Sequence, residues 1–159
     1  MRRPVSFAAL VIAVAATACA SGGTPLPPPR PIESIPFASS LDIDLSKMTK
    51  TPSGLYYRDI EVGTGMLVKG KMRVRVHYTG WLTNGEKFDS NGEDDQPLEV
   101  PVGRGRTIKG WDEGLQGMRA GGRRQLVVPA ALGYGSEHSG IIPPDAVLVF
   151  DIRVVSAEY

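Results

Sequence analysis

From Lys71 to Tyr78 the chain alternates residue by residue, with Met72, Val74, Val76 and Tyr78 set against Lys71, Arg73, Arg75 and His77. A period of two places successive side chains on opposite faces of an extended strand, so one face of this run is buried and the other is wet. Shorter alternations follow at Leu98, Val100 and Val102, at Leu126 and Val128, and at Leu148, Phe150, Ile152 and Val154. Glycine-bearing turns separate them. Among these, Asn84-Gly85 is the strongest hairpin signal, because both residues tolerate the positive φ of a type I′ turn. Short strands punctuated by tight turns from Thr51 onward predict an antiparallel sheet.

One segment of this region has a different period. Trp111, Leu115 and Met118 fall at i, i+4 and i+7, and Asp112 and Glu113 occupy a first turn where the helix dipole favours acids. The spacing predicts a helix from Lys109 to Met118. Gly110, Gly114 and Gly117 give it low intrinsic propensity, so it needs a sheet to lie on. Several strands and one short helix around a single core make an α+β domain over residues 51–159.

The first 50 residues are organised differently. Met1-Arg2-Arg3 followed by the alanine-rich apolar run Phe7–Ala18 has the layout of an export signal over residues 1–19, and the run is too short to span a membrane. It ends in Ala16-Thr17-Ala18-Cys19, similar to the lipobox of bacterial lipoproteins, although that box usually carries leucine where Ala16 stands. Cys19 is then the lipidation site; the same residues also satisfy the small-x-small rule of ordinary signal cleavage. Either way the mature chain is exported, to the periplasmic or cell-surface side of a bacterial membrane. Residues 20–50 form a tether and arm. Ser21-Gly22-Gly23 and then Pro25, Pro27, Pro28, Pro29 and Pro31 exclude helix and central strand. Ile32 to Lys50 carries scattered apolar residues without a sustained period, and reads equally as an arm packed on the domain or as a second linker. It cannot supply the heptads of a helical dimerisation arm, which points to a monomer.

Elimination narrows the chemistry. Eighteen Lys and Arg against seventeen Asp and Glu leave a net charge of +1, which points to neither nucleic acid nor an acidic substrate but to a neutral target. Arg104, Arg106, Arg123 and Arg124 form a local basic excess without interleaved aromatics, and read as a solvated rim. With Cys19 the only cysteine and His77 and His138 the only histidines, no metal site is indicated, and no nucleophile elbow is present. Gly63-Thr64-Gly65 and Gly103-Arg104-Gly105 lack the context of a phosphate loop, so no cofactor is expected. Asp89-Ser90-Asn91-Gly92 opens like a calcium loop, but its glycine comes too early and Val100 takes the place of the closing glutamate. It reads as a solvated turn.

Several blocks of residues occur in an ordered series: Val76-His77-Tyr78-Thr79-Gly80, Gly85-Glu86-Lys87-Phe88-Asp89-Ser90 and Ile108-Lys109-Gly110-Trp111-Asp112-Glu113-Gly114. Tyr134-Gly135, Gly140-Ile141-Ile142-Pro143-Pro144 and Leu148-Val149-Phe150-Asp151 complete it. In order and spacing they resemble the FKBP family of peptidyl-prolyl cis-trans isomerases, over about Leu55 to Val155. The resemblance implies a twisted antiparallel sheet wrapped around one short helix. It also implies an enzyme acting on proline-containing polypeptide clients and inhibited by macrolides of the tacrolimus and rapamycin type. A proline-binding or chaperone-like lipoprotein with the same fold and no turnover is the alternative.

Carried over residue by residue, the resemblance places catalytic roles on Tyr78, Phe88, Asp89, Tyr134 and Phe150, with Asp89 a buried-edge carboxylate. Trp111 is the pocket floor, Ile108 offers its backbone N–H to a substrate carbonyl, and Leu98, Thr107, His138, Ile141 and Ile142 complete the substrate contacts. Leu98 departs from a common phenylalanine and Thr107 from a common valine. The segment from Tyr134 to Ile141 is one residue shorter than in small cytosolic members, and His138 matches a family position only with that gap placed before it.

Overall fold

The computed structural model describes residues 30–159. The export segment, Cys19 and the proline-rich run to Pro29 lie outside the described residues. Seven strands form one antiparallel sheet: β1 (Thr49–Lys50), β2 (Tyr56–Glu61), β3 (Arg73–Leu82), β4 (Lys87–Asn91), β5 (Leu98–Pro101), β6 (Arg123–Val128) and β7 (Leu148–Glu158). Their spatial order is β1-β2-β6-β7-β3-β4, and β5 also pairs with β3. The alternation that starts at Met72 thus builds β3, whose first half pairs with β5 and whose second half pairs with β4. The Asn91 side chain bridges the break between β4 and β5. It accepts from Tyr78 N at 2.8 Å and donates to Val76 O at 3.1 Å, standing in for missing ladder partners. The segment expected as a solvated turn at Asp89–Gly92 is therefore mostly strand, because Asp89, Ser90 and Asn91 face Gly80, Thr79 and Tyr78 across the ladder.

The single helix, α1 (Lys109–Gly114), is shorter than its apolar spacing predicts. Gly117 takes φ of 79° and donates to Val68 O at 3.0 Å, which turns the chain out of the helix before Met118. Leu115 and Met118 still reach the core. Two of the helix glycines have a positive use. A Cβ at Gly110 would lie 2.6 Å from Val128 Cγ1, and one at Gly114 would lie 2.7 Å from Leu126 Cδ1, so the helix backbone seats directly on β6. Arg124 then clamps its C-terminal end, donating to Gly114 O at 2.9 Å and Gln116 O at 3.1 Å while it grips Asp59 through two further hydrogen bonds. Its guanidinium also stacks over the Tyr57 ring at 4.5 Å. Arg124 is only 6% exposed, and Arg123 forms a two-bond pair with Asp151 at 2.8 Å. The expected solvated rim is thus corrected for these two arginines, which serve the fold.

Alternation along β6 and β7 sends Leu126, Val128, Leu148, Phe150 and Ile152 to the inner face, against α1, and Val127 and Val149 to the outer face. The outer face is covered by residues 32–50. Three short 3-10 turns, at Ile32–Ser34, Ser39–Leu41 and Leu45–Lys47, bury Ile32, Leu41 and Met48 on Tyr56, Val127, Val147 and Val149. A 3-10 arm has no long period, which is why its packing carries no sequence signature. Polar contacts fix it: Gln125 donates to Leu41 O at 2.9 Å, Ala38 N donates to Thr83 O at 2.8 Å, and Glu33 accepts from both Lys50 and Tyr56. The hydrogen bonds from Lys50 and then Tyr56 hold the Glu33 carboxyl down to about 2, from an ordinary 4.5.

Leu41→Ala should cost about 2–3 kcal/mol in urea unfolding, because it empties a buried site on the outer face, while leaving the inner face intact. A loss below about 0.5 kcal/mol would make the arm peripheral. Because the Glu33 pKa is depressed on folding, its contribution is present above pH 4.5 and fades as pH falls toward 2. The stabilities of wild type and Glu33→Gln should accordingly converge across that window.

Candidate active site

The inner face of β3 carries Tyr78 and Gly80, which stand opposite Ile152 and Phe150 of β7. Between β3 and β4 the register slips by one: Gly80 faces Asp89 and Trp81 faces Lys87, leaving Phe88 as the extra residue of a bulge. In a regular strand Phe88 and Asp89 would point to opposite faces. Here both turn to the same side, Phe88 onto Phe150 with ring centroids 5.6 Å apart, and Asp89 onto Tyr78. A Cβ at Gly80 would lie 2.6 Å from Phe88 Cζ and 2.9 Å from Phe150 Cε1, so glycine is what lets the two rings meet over the strand.

The helix supplies the fourth ring. Trp111, 4% exposed, meets Tyr78 at 4.9 Å and Phe150 at 5.4 Å, both edge to face. Tyr78, Trp111, Phe150 and Phe88 are therefore one continuous chain of T-shaped contacts drawn from β3, α1, β7 and β4. The Tyr78 hydroxyl donates to Asp89 Oδ2 at 2.7 Å. Burial of the phenol, then this carboxylate and the nearby Tyr134 ring, push the Tyr78 pKa well above its ordinary value, so it remains a neutral donor. Asp89 itself is exposed and also accepts from Ser90 N at 2.9 Å, which corrects its expected position at a buried edge. Two polar atoms at the site are buried without a partner among the described residues, Trp111 Nε1 and Thr107 Oγ1. The Ile108 N–H, at the N-cap of α1, also donates to no described acceptor.

The pattern of a family now has a geometry to match. A model described as FKBP-type peptidyl-prolyl cis-trans isomerase matches residues 64–155, more than half of the chain. The chain belongs to the FKBP-type peptidyl-prolyl cis-trans isomerase family. It is similar to the FK506-binding protein of Neisseria meningitidis serogroup B, at 49% identity over 104 residues, covering 64% of this chain and 94% of that relative. A probable FKBP-type peptidyl-prolyl cis-trans isomerase of Haemophilus influenzae is 45% identical over 106 residues, 66% of this chain and 43% of the relative. Among solved structures, AtFKBP13 aligns with a TM-score of 0.64 at 39% identity, over 69% of this chain and 97% of that one. FkpA from Escherichia coli aligns at 0.65 and 34% identity, over 70% and 52%.

For an FKBP-type isomerase, the remaining expected site residues are spread over several elements. Ile108 is half-buried against the core beside Trp111, with Thr107 next to it. Tyr134 is 39% exposed and Ile141 52% exposed, both on the loop between β6 and β7, and His138 is exposed on the same loop. Leu98, 41% exposed, is the first residue of β5, opposite Val76 of β3. Ile142 is different: it is 4% exposed, packed in the inner core, with its backbone paired to Ser139. Its side chain supports the loop from beneath. Residues that sequence reasoning left without a role are Gly80, Gly110, Gly114 and Arg124. A glycine inside a strongly alternating strand was the available signal for Gly80, since it marks a close approach.

Gly80→Ala should reduce kcat/KM for an X-Pro peptide by about tenfold, with a loss of about 1–3 kcal/mol in stability from overpacking. Ring chemical shifts of Phe88 and Phe150 should move together in the variant. An alanine accepted without change in either shifts or activity would show that the rings do not depend on that clearance.

Proposed function

We propose that this FKBP-type isomerase speeds X-Pro isomerisation in exported polypeptides by a desolvating, apolar site, while tethered to a bacterial membrane through Cys19. The observation that carries this reading is the four-ring chain with its floor at Trp111. Rotation about a peptide bond costs about 18–20 kcal/mol because it breaks C–N resonance, and an X-Pro bond isomerises unaided only over tens of seconds or more. The twisted transition state is less charge-separated than the planar amide. Surroundings that strip water from the carbonyl and offer aromatic surface favour it over the ground state. Ile108 N–H and the Tyr134 hydroxyl are suited to hold the client's carbonyls while the bond turns. Asp89 fixes Tyr78, and neither needs to exchange a proton with the client.

The partners that follow are proline-containing polypeptides, with macrolides of the tacrolimus and rapamycin type as competitors for the same rings. Relatives that bear the name FK506-binding protein support this second class. The functional unit is one chain, since all four rings come from a single sheet and its helix. Among the described residues no helix is long and apolar enough to cross a membrane. Lipoprotein anchoring uses more than one acyl chain, which one marginal chain could not replace.

The test is exchange NMR on a Leu-Pro or Phe-Pro peptide with variants shown by circular dichroism to be folded. Asp89→Asn should lower kcat/KM by about 1–2 kcal/mol in activation terms, and Phe150→Ala by more, because it breaks contact with both Phe88 and Trp111. The wild-type profile should stay flat from about pH 5.5 to pH 8, where an unperturbed imidazole would titrate. Abolition of turnover by Asp89→Asn alongside near-normal Phe150→Ala would make the carboxylate the chemical catalyst and end the desolvation account.

Cys19→Ala should shift the protein from membrane to soluble exported fractions in cell fractionation. Unchanged membrane association in that variant would place the anchor elsewhere.

A further inference from the structure

The two arginines that remain of the expected rim, Arg104 and Arg106, are not scattered. With Lys71, Arg73, Pro101 and Tyr159 they line a concavity of about 400 Å³ where the start of β3, the end of β5 and the end of β7 meet. All four cationic residues are exposed. Arg73 lies 3.9 Å from Glu99 and 3.7 Å from Glu158, both half-exposed, so its single charge is outweighed by the pair. Among the described residues, Lys71, Arg104 and Arg106 have no carboxylate within 4.0 Å. The loop that carries the two arginines is also held in place. Asp112 of α1 accepts from Gly103 N at 2.7 Å and Gly105 N at 2.8 Å, and Arg104 reaches Lys71 O at 3.4 Å. The same loop runs directly into Thr107 and Ile108, so Arg106 is at most about 7 Å along the backbone from the Ile108 N–H.

We propose that this cationic cluster is a specificity site for the isomerase reaction, which favours clients carrying Asp or Glu two or three residues from the proline. The inference rests on the isomerase reading of the aromatic site. A client whose proline sits over Trp111 and whose carbonyl meets Ile108 passes the Arg104–Arg106 loop within about 7–10 Å, the reach of two or three extended residues. Arg104 and Arg106, offset in part by the Asp112 carboxylate at the base of their loop, attract a client carboxylate with an effect that depends on salt. Each pair is worth about a factor of two without screening, so the two loop arginines together give about two- to threefold at 10 mM salt and little at 0.5 M. The near-neutral net charge conceals this local field.

The experiment compares three peptides of equal length by exchange NMR at 10 mM and 0.5 M salt: a neutral Leu-Pro peptide, and the same peptide with Glu placed three residues before or three residues after the proline. The expected result is a kcat/KM about twofold or more above the neutral peptide for at least one Glu peptide, collapsing at high salt. The double variant Lys71→Glu/Arg106→Glu, which keeps the bond from Arg104 to Lys71 O, should reverse that preference and leave turnover of the neutral peptide unchanged. Equal rates for all three peptides, with the neutral one turned over normally, would overturn this proposal and leave the isomerase reading standing. Failure to turn over the neutral peptide would instead remove the isomerase reading on which it rests. Wild-type binding to phosphatidylserine vesicles, lost in the double variant and unaccompanied by any peptide preference, would assign the cluster to a lipid surface and equally overturn it.

Discussion

The site depends on how a six-residue helix is held against β6. Isolated helices of that length do not persist in water, and this one carries two glycines. Its stability is tertiary. The missing Cβ atoms at Gly110 and Gly114 bring its backbone onto Val128 and Leu126, and Arg124 satisfies carbonyls at and just beyond its end while anchored to Asp59. That contact sets the height of Trp111 above the sheet, and with it the meeting of Trp111 with Tyr78 and Phe150. A larger residue at either glycine would lift the floor of the site before it touched any ring.

What was legible in the sequence follows from what has a period. The alternations of β3, β5, β6 and β7 and the apolar face of α1 stand out because each has one buried side, and the α+β antiparallel architecture follows from them. Strands β1 and β2 do not announce themselves. Tyr56 is buried on the outer face while Tyr57 lies half-buried beneath Arg124, so both sides of β2 carry aromatic residues and the pattern is lost. The arm is invisible for a related reason, since three separate 3-10 turns bury single residues at irregular intervals. Strand β4 reads as a turn because Asp, Ser and Asn, with low strand preference, are placed there by partners on β3.

The aromatic set was legible as ordered blocks, but its geometry was not. Two adjacent residues, Phe88 and Asp89, serve the same side only because one extra residue interrupts the ladder, and no composition rule predicts a bulge at that position. The buried place of Arg124 was equally hidden: four arginines of one apparent class divide into a helix clamp, a strand-to-strand ion pair and an exposed cluster, according to the carboxylates and carbonyls the fold brings to each. Charge counted along a chain does not distinguish these.

The lengths of the strands have a further consequence. The two longest, β3 and β7, are interior to the sheet, whereas its margins are β1 with two residues, β4 with five and β5 with four, the last two separated by the Asn91 side-chain bridge. Unpaired N–H and C=O groups are thus presented only in short, interrupted rows, which a second molecule cannot extend into a continuous ladder. Such margins offer other extended chains little template for aggregation on this sheet.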